Sequence, residues 1–414
     1  MKYVIILGDG MADNRMEQLG GKTPLEYANI PTIDYLAKHG EIGLVKTVPD
    51  GVAPGSDVAN LSVMGYNPFE YYTGRSPLEA VSMGVELSDT DITFRCNLVT
   101  LADNHADGEP KIYSEKIIVD HSADEISTVE AKELIEFVAQ HLETESIKFY
   151  PGVSYRHLMV WKNGPYDFEL TPPHDILEKK IADYLPKGLH KEVILAMMEK
   201  SYELLKDHPI NQKRIQKGLK PANSIWIWGE GKKPALSSFY DKYHLKGAVI
   251  SAVDLIKGIG ICAGLKSIDV EGATGNIHTN FLGKAYAAVE VLKKGHDFVY
   301  VHIEAPDECG HRCEIDNKVK AIEFIDQQVV KIIKEELDKS DDDYSIMILP
   351  DHPTPLNLRT HTSDPVPFLI YKSNVKKESP ANTYNEFSAG QTGIYFTEGH
   401  KLMDYFLNAS KKSK

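Results

Sequence analysis

The sequence predicts an α/β fold with a mostly parallel sheet between helices, and three observations predict it. Short β-branched apolar runs stand at residues 3–7, 298–303, 345–349 and 367–371. Unbroken runs of this kind mark strands buried on both faces, whereas a strand with one wet face alternates. Between the later runs lies an amphipathic stretch, 316–337, in which Val319, Ile322, Ile325, Val329, Ile332 and Leu337 recur near the helical period. Strand and helix patterns also alternate along the chain, as in a sheet built from strand–helix–strand units.

Taken in order, the first run stops at Gly8-Asp9-Gly10 and reads as a central strand. The glycine-rich loop 49–57 then presents Ser56 at the start of a helix expected over 57–64. A serine there is usually a helix cap. From 87 to 221 the chain is richer in charge, with helix-like stretches at 128–142 and 190–205. It reads as a second domain inserted into a core formed by 1–86 and 222–414. The short runs 224–228 and 248–252 are expected to return the chain to the main sheet, and the Lys/Ser tail 410–414 to be disordered.

With 414 residues the chain is long enough for two or three domains. Its 46 Lys plus Arg against 60 Asp plus Glu give a formal charge of −14. That balance argues against nucleic acid or an anionic membrane as partner, since both draw on excess basic residues. Positive charge for a phosphorylated substrate must therefore be local, from a few Arg and Lys or from metal ions. Four cysteines and no signal-like or membrane-length apolar segment point to reduced thiols and a cytoplasmic location.

Three of the buried-type strands run into ionisable groups: Asp9 after Leu7, Asp307 after Ile303, and Asp351-His352 after Leu349. Strand carboxyl ends are where open α/β sheets bind ligands. Asp307 and His311 are four residues apart, on one face of a helical turn, and His361 adds a further imidazole. This set suits Mn²⁺, Zn²⁺ or Mg²⁺ and is large enough for two ions. Cys309 and Cys313 flank His311, but no second pair completes a zinc finger and Gly310 is expected to interrupt the helix. A hydroxyl on such an ion is acidified and a helix N-terminus holds phosphoryl oxygens, so Ser56 is a candidate nucleophile.

Together, the Asp9 segment Leu-Gly-Asp-Gly-Met-Ala-Asp, Ser56 in Ala-Pro-Gly-Ser-Asp-Val-Ala-Asn, 307–311, Asp351-His352 and 361–367 resemble the archaeal-type cofactor-independent phosphoglycerate mutases of the alkaline phosphatase superfamily. The resemblance runs nearly end to end. It implies an alkaline-phosphatase-like core, an inserted α+β lid and a two-metal centre, usually of Mn²⁺, with no 2,3-bisphosphoglycerate. It assigns Asp307, His311 and His361 to one ion, and Asp9, Ser56, Asp351 and His352 to the other. It implies that Ser56 takes a phosphoryl group from 3-phosphoglycerate and returns it to the 2-hydroxyl. Arg75, Arg95, Arg156, Lys284 and Arg359 are candidates for holding that small phosphorylated substrate.

The chain departs from the family where an arginine-rich lid run gives way to Asp120-His121-Ser122-Ala123-Asp124-Glu125-Ile126-Ser127, and where an Arg-Gly-Ala-Gly turn gives way to Trp228-Gly229-Glu230-Gly231. Fewer guanidinium groups leave less to hold phosphoglycerate. A homoserine-kinase-like branch of the family offers the alternative, with Asp124 and Glu125 facing an ammonium group. A phosphatase or sulfatase of the superfamily comes third, and a non-enzymatic metal-binding scaffold fourth. Oligomeric state is not legible.

Overall fold

A computed structural model describes residues 1–103, 112–375, 378–379 and 381–408. The tail 410–414 lies outside them. Two compact units divide the chain, Met1–Tyr72 with Ala235–Lys414, and Thr73–Pro234.

In chain order the strands are β1 (Lys2–Gly8), β2 (Glu41–Val45), β3 (Ile92–Ala102), β4 (Ile117–Asp120), β5 (Ile147–Tyr150), β6 (Arg156–Trp161) and β7 (Ser224–Lys232). There follow β8 (Gly247–Ile250), β9 (Lys266–Ile268), β10 (Phe298–Ile303), β11 (Tyr344–Leu349), β12 (Val366–Lys372) and β13 (Tyr395–Phe396). The first unit holds an eight-stranded sheet in the order β13-β2-β12-β11-β1-β10-β8-β9. Its strands are parallel except β12, which runs against both β11 and β2. The apolar run of β12 forecast its burial but not its direction. The chain returns from β11 through a connection without a crossover helix, and a parallel neighbour needs such a crossover. Helices cover the sheet, and their apolar stripes close a core around Val4, Ile6, Val299, Val301, Ile346 and Ile348.

The expected helix 316–337 forms as Ile315–Phe324, a π-helical stretch Ile325–Val330, and Lys331–Leu337. Asp326 stands in the wider turn. It is buried among the apolar positions and accepts a hydrogen bond from the Ile33 N–H at 2.6 Å, satisfying the first turn of helix Pro31–Lys38. Gly310 does not interrupt its helix, which runs Ala305–Arg312. It instead lets that helix approach the chain at Thr354, whose carbonyl oxygen would lie 2.5 Å from a Cβ at 310.

The second unit is an antiparallel sheet in which β3 pairs with β6 and β7, β6 pairs with β5, and β4 joins the end of β3. Helices Thr128–Leu142 and Lys191–Leu205 form where expected, the second one residue shorter, and bury Leu134, Ile135, Val138, Ile194, Met198 and Leu205 in its core. The expectation that 224–228 rejoins the main sheet fails. That segment is β7 and pairs with β3 from Val99↔Ser224 to Ile92↔Lys232, because a short apolar run does not say which sheet completes its hydrogen bonds. For the same reason this unit extends beyond the expected 87–221. Thr73 Oγ1 bonds to the Lys232 carbonyl, and Ala80 packs with Leu87, Leu158 and Val160. Among the described residues no helix is long and apolar enough to cross a membrane.

Gly310→Ala is expected to lower stability by about 1–3 kcal/mol despite alanine's better helix propensity, because the added methyl meets backbone that cannot swing away. Urea unfolding midpoints measure this, and an unchanged midpoint would contradict the close approach.

Candidate metal centre

β11, β1 and β10 lie side by side in register, with Leu7 opposite both Leu349 and His302. Their carboxyl ends therefore deliver Asp351-His352, Asp9 and the Glu304–Asp307 segment to one edge of the sheet. Helix Ala305–Arg312 sets Asp307 and His311 one turn apart, with His311 Nε2 3.2 Å from Asp307 Oδ2. His361 Nε2 lies 3.3 Å from Asp307 Oδ1 and 2.9 Å from His311 Nε2. His311 Nδ1 faces the Arg359 carbonyl at 3.0 Å, so its proton sits there when Nε2 serves as a ligand. Asp9, Asp351 and His352 form a second set, and the His352 and His361 rings lie 3.9 Å apart, so the two sets adjoin. All seven residues expected as ligands are brought together, Ser56 among them: its Oγ is 3.1 Å from His352 Nε2 and 3.4 Å from Asp9 Oδ2.

Ser56 is not a cap. Gly55 caps the helix Ser56–Val63 in extended backbone, and Ser56 is its first residue, so its hydroxyl is turned to the site.

The electrostatics of the cluster test whether divalent ions suit it. Asp9 is buried, and its carboxyl is held well above the usual range, first by burial and then by the charges of Asp351, Asp307 and Glu304. Asp307 is also buried, but hydrogen bonds from His311 and His361 outweigh that and hold it well below. The Asp307 carboxylate in turn raises His311 to about 9. Asp351 is satisfied by protein donors: Oδ1 accepts from the N–H groups of Gly10 and His352, at 3.1 and 2.9 Å, and Oδ2 from Asn60 Nδ2 at 2.9 Å. Asp9 Oδ1, by contrast, is buried without a hydrogen-bond partner. An unpaired buried carboxylate oxygen costs more than about 1–3 kcal/mol. Carboxylates with imidazole nitrogens at this spacing are the donor set of a divalent transition ion, so the residues fit.

Several supporting groups escaped the sequence reading. Asn60 holds both the Ser56 carbonyl and Asp351, and Tyr300 donates to Asn60 Oδ1 at 2.6 Å. Thr354 donates to Asp307 Oδ1, and Thr47 to the Asp351 carbonyl. Glu304 forms a third acidic group with Asp9 and Asp307. His302, buried in β10, lies 2.9 Å from Asp9 Oδ2, and burial pushes its imidazole down to about 3. Asn60, one turn beyond Ser56, and a histidine inside an apolar run were the signals available.

The anion-binding candidates separate. Lys284 is fully buried in the first unit, its ammonium donates to the His302 carbonyl at 3.0 Å, and burial lowers it to about 8. Arg359 is exposed, and its carbonyl is the group that faces His311. Arg75, Arg95 and Arg156 belong to the second unit. Arg75 and Arg95 share Glu79, at 2.7 and 3.2 Å, Arg95 also covers Trp228, and Arg156 lies by Tyr155. Asp124 is paired with Lys220, whose Nζ is 3.1 Å away and whose N–H donates to it at 2.7 Å.

Comparison with known proteins bears on this arrangement. A family described as 2,3-bisphosphoglycerate-independent phosphoglycerate mutase matches residues 37–211. The chain is 48% identical over 410 residues to the enzyme of that description from Methanosarcina barkeri, covering 99% of this chain and 100% of the relative. It is similar to the solved structure of the PH0037 protein from Pyrococcus horikoshii, with TM-score 0.81, 29% identity and coverage of 100% and 98%. A cofactor-independent phosphoglycerate mutase from Thermoplasma acidophilum gives TM-score 0.65 at 26% identity, covering 99% of each chain.

If the cluster is an ion cradle, Asp9→Asn relieves repulsion in the metal-free protein and removes a ligand. Its melting temperature without metal is expected to match or exceed the parent's. The rise on adding Mn²⁺, about 2.7 kcal/mol per ion at a hundredfold excess over Kd, is expected to shrink. Thermal melts with and without chelator measure both, and a lower metal-free melt with the full Mn²⁺ rise would count against the cradle.

Proposed function

The chain belongs to the 2,3-bisphosphoglycerate-independent phosphoglycerate mutase family, and on that premise we propose that it interconverts 3-phosphoglycerate and 2-phosphoglycerate through a phosphoserine at Ser56. The observation that carries the reading is the Ser56 hydroxyl, held at a helix N-terminus within reach of Asp9 and His352. Two divalent ions complete the site in this reading, with Mn²⁺ suited to the mixed oxygen and nitrogen donors. Asp307, His311 and His361 would hold one, and Asp9, Ser56, Asp351 and His352 the other. Such ions, when bound, lower the pKa of a hydroxyl and neutralise charge on a transferring phosphoryl group.

This chain's own groups then have definite work. Ser56 Oγ forms a bond to phosphorus as the bond to the substrate's 3-oxygen breaks, and the proton that leaves Ser56 is balanced by one taken up by the departing 3-oxygen, so that glycerate leaves as the alcohol. The free N–H groups at the start of helix Ser56–Val63 face the phosphoryl oxygens. Asn60 keeps that helix start fixed on Asp351. Glycerate, freed of its phosphoryl group, turns to present its 2-hydroxyl, which takes the group back from Ser56. Arg75, Arg95, Arg156 and Arg359 are the candidates for holding the substrate's anionic groups in this reading.

The homoserine-kinase alternative finds no support. The Methanosarcina relative is described as a mutase, and of the two acids that reading invoked, Asp124 and Glu125, the first is engaged by Lys220. A phosphatase would release free phosphate, which the same assay detects.

Purified protein with Mn²⁺ is expected to convert 3-phosphoglycerate to 2-phosphoglycerate without added 2,3-bisphosphoglycerate and with little free phosphate. Ser56→Ala is expected to lose roughly 10³-fold or more in turnover while Mn²⁺ binding falls far less, because one neutral donor is lost and the charged and imidazole ligands remain. Phosphohomoserine formed from ATP and homoserine, with no 2-phosphoglycerate, would sink the proposal.

A further inference from the structure

Behind Asp9 lies a chain of polar groups that the proposed reaction does not use. His302 is fully buried, its ring nitrogens 2.9 Å from Asp9 Oδ2 and 3.2 Å from Ser251 Oγ. Ser251 Oγ accepts the Val253 N–H at 2.9 Å, which leaves the hydroxyl proton for His302 Nδ1. As the carboxylate that an ion ligand requires, Asp9 can only accept, so Nε2 then carries the imidazole proton. One neutral tautomer satisfies both contacts. Lys284 Nζ, on the His302 carbonyl, ties this part of β10 to helix Phe281–Lys293.

An imidazole between Val301 and Ile303 in a buried strand is a costly choice unless both nitrogens are paired, and an apolar side chain would pack there at no such cost. The consequence falls on Asp9. Oδ2 takes the His302 proton, whereas Oδ1 is buried without a partner. A carboxylate held by one oxygen cannot turn about its Cβ–Cγ bond without losing that bond. Its other oxygen is thereby given a fixed direction.

We propose that His302, held by Ser251, is a positioning residue that locks the Asp9 carboxylate so that Oδ1 is the oxygen presented to a divalent cation. This rests on the reading of Asp9 as an ion ligand. Orienting groups of this kind are worth about 10–100-fold in metal affinity.

The test titrates metal-free protein with Mn²⁺, followed by calorimetry and by the EPR signal of free Mn²⁺, on the parent and three variants. His302→Gln places an amide N–H near the position of Nε2, facing Asp9. His302→Asn reaches only the position of Nδ1, facing Ser251, and His302→Leu reaches neither. The parent is expected to bind two ions. Leu and Asn are expected to weaken one of them about 10–100-fold and leave the other within about twofold, whereas Gln restores most of the loss. Equal affinities in Gln and Asn would overturn the positioning role, and this pair decides the matter even where Leu does not fold. A parent that binds fewer than two ions would overturn the two-ion reading instead, so the two failures are distinguishable.

Discussion

The site depends on one constraint, the side-by-side termination of three parallel strands. Because β11, β1 and β10 end together, Asp351, Asp9 and the Asp307 helix are forced into one small volume. Two like charges 4 Å apart repel by about 4 kcal/mol at the effective dielectric typical of proteins. The fold tolerates this because two of the three carboxylates have donors of their own. Asp351 takes two backbone N–H groups and Asn60, and Asp307 takes Thr354 and two imidazoles. Asp9 is left with one oxygen paired and one not. The oxygen without a hydrogen bond is where the geometry asks for a cation, and it lies 3.6 Å from His352 Nε2, another of the expected ligands.

Holding that arrangement requires the loops beyond the strands to be fixed as well. Gly10, at φ +61°, lets the Asp9 loop approach so closely that a Cβ would meet the Asp307 backbone at 2.7 Å. Three residues on, Asp13 forms a fully buried pair with Lys318 at 2.6 Å, and Lys318 also donates to the Thr354 carbonyl at 2.8 Å. Asp13 accepts from the Leu356 N–H, and Thr354 in turn donates to Asp307. Buried pairs of this kind are weak stabilisers and better explained by what they align. Here the pair joins the Asp9 loop, the segment after β11 and helix Ile315–Phe324.

Much of this was legible in the sequence, and the limits have physical causes. Asp9, Asp307 and Asp351-His352 could be found because they closely follow buried-type strands, and the strand pattern itself says where the sheet edge lies. Their supports were not legible. His302 and Tyr300 stand inside an apolar run where their polar ends matter only through Asp9 and Asn60, residues distant in sequence. Direction and membership of strands failed for a related reason. The apolar runs of β7 and β12 report burial, whereas pairing partners are set by the whole chain path. Lys284 was a candidate for holding substrate by residue type, and it lies inside the core.

The acidic sequence 120–127, which pointed away from an anionic substrate, takes another meaning in the fold. Ala123, Asp124 and Glu125 all adopt left-handed backbone, at φ 49°, 54° and 49°, a conformation that costs non-glycine residues about 1–2 kcal/mol each. Asp120 offsets that cost by accepting from the Ser122 N–H and hydroxyl, the Asp124 N–H and Lys220 Nζ. Arg214 closes the turn on the Ala123 carbonyl. The carboxylates of Asp120 and Asp124 are thus committed to shaping their own loop, and they do not constitute a site for an ammonium group. Around Trp228 the unit instead places Arg95 over the ring, with His174 against it and His121 beside His174. Arg75 shares Glu79 with Arg95. In a chain of net charge −14, two of the three acids in 120–127 are thus turned inward on Lys220, which they share.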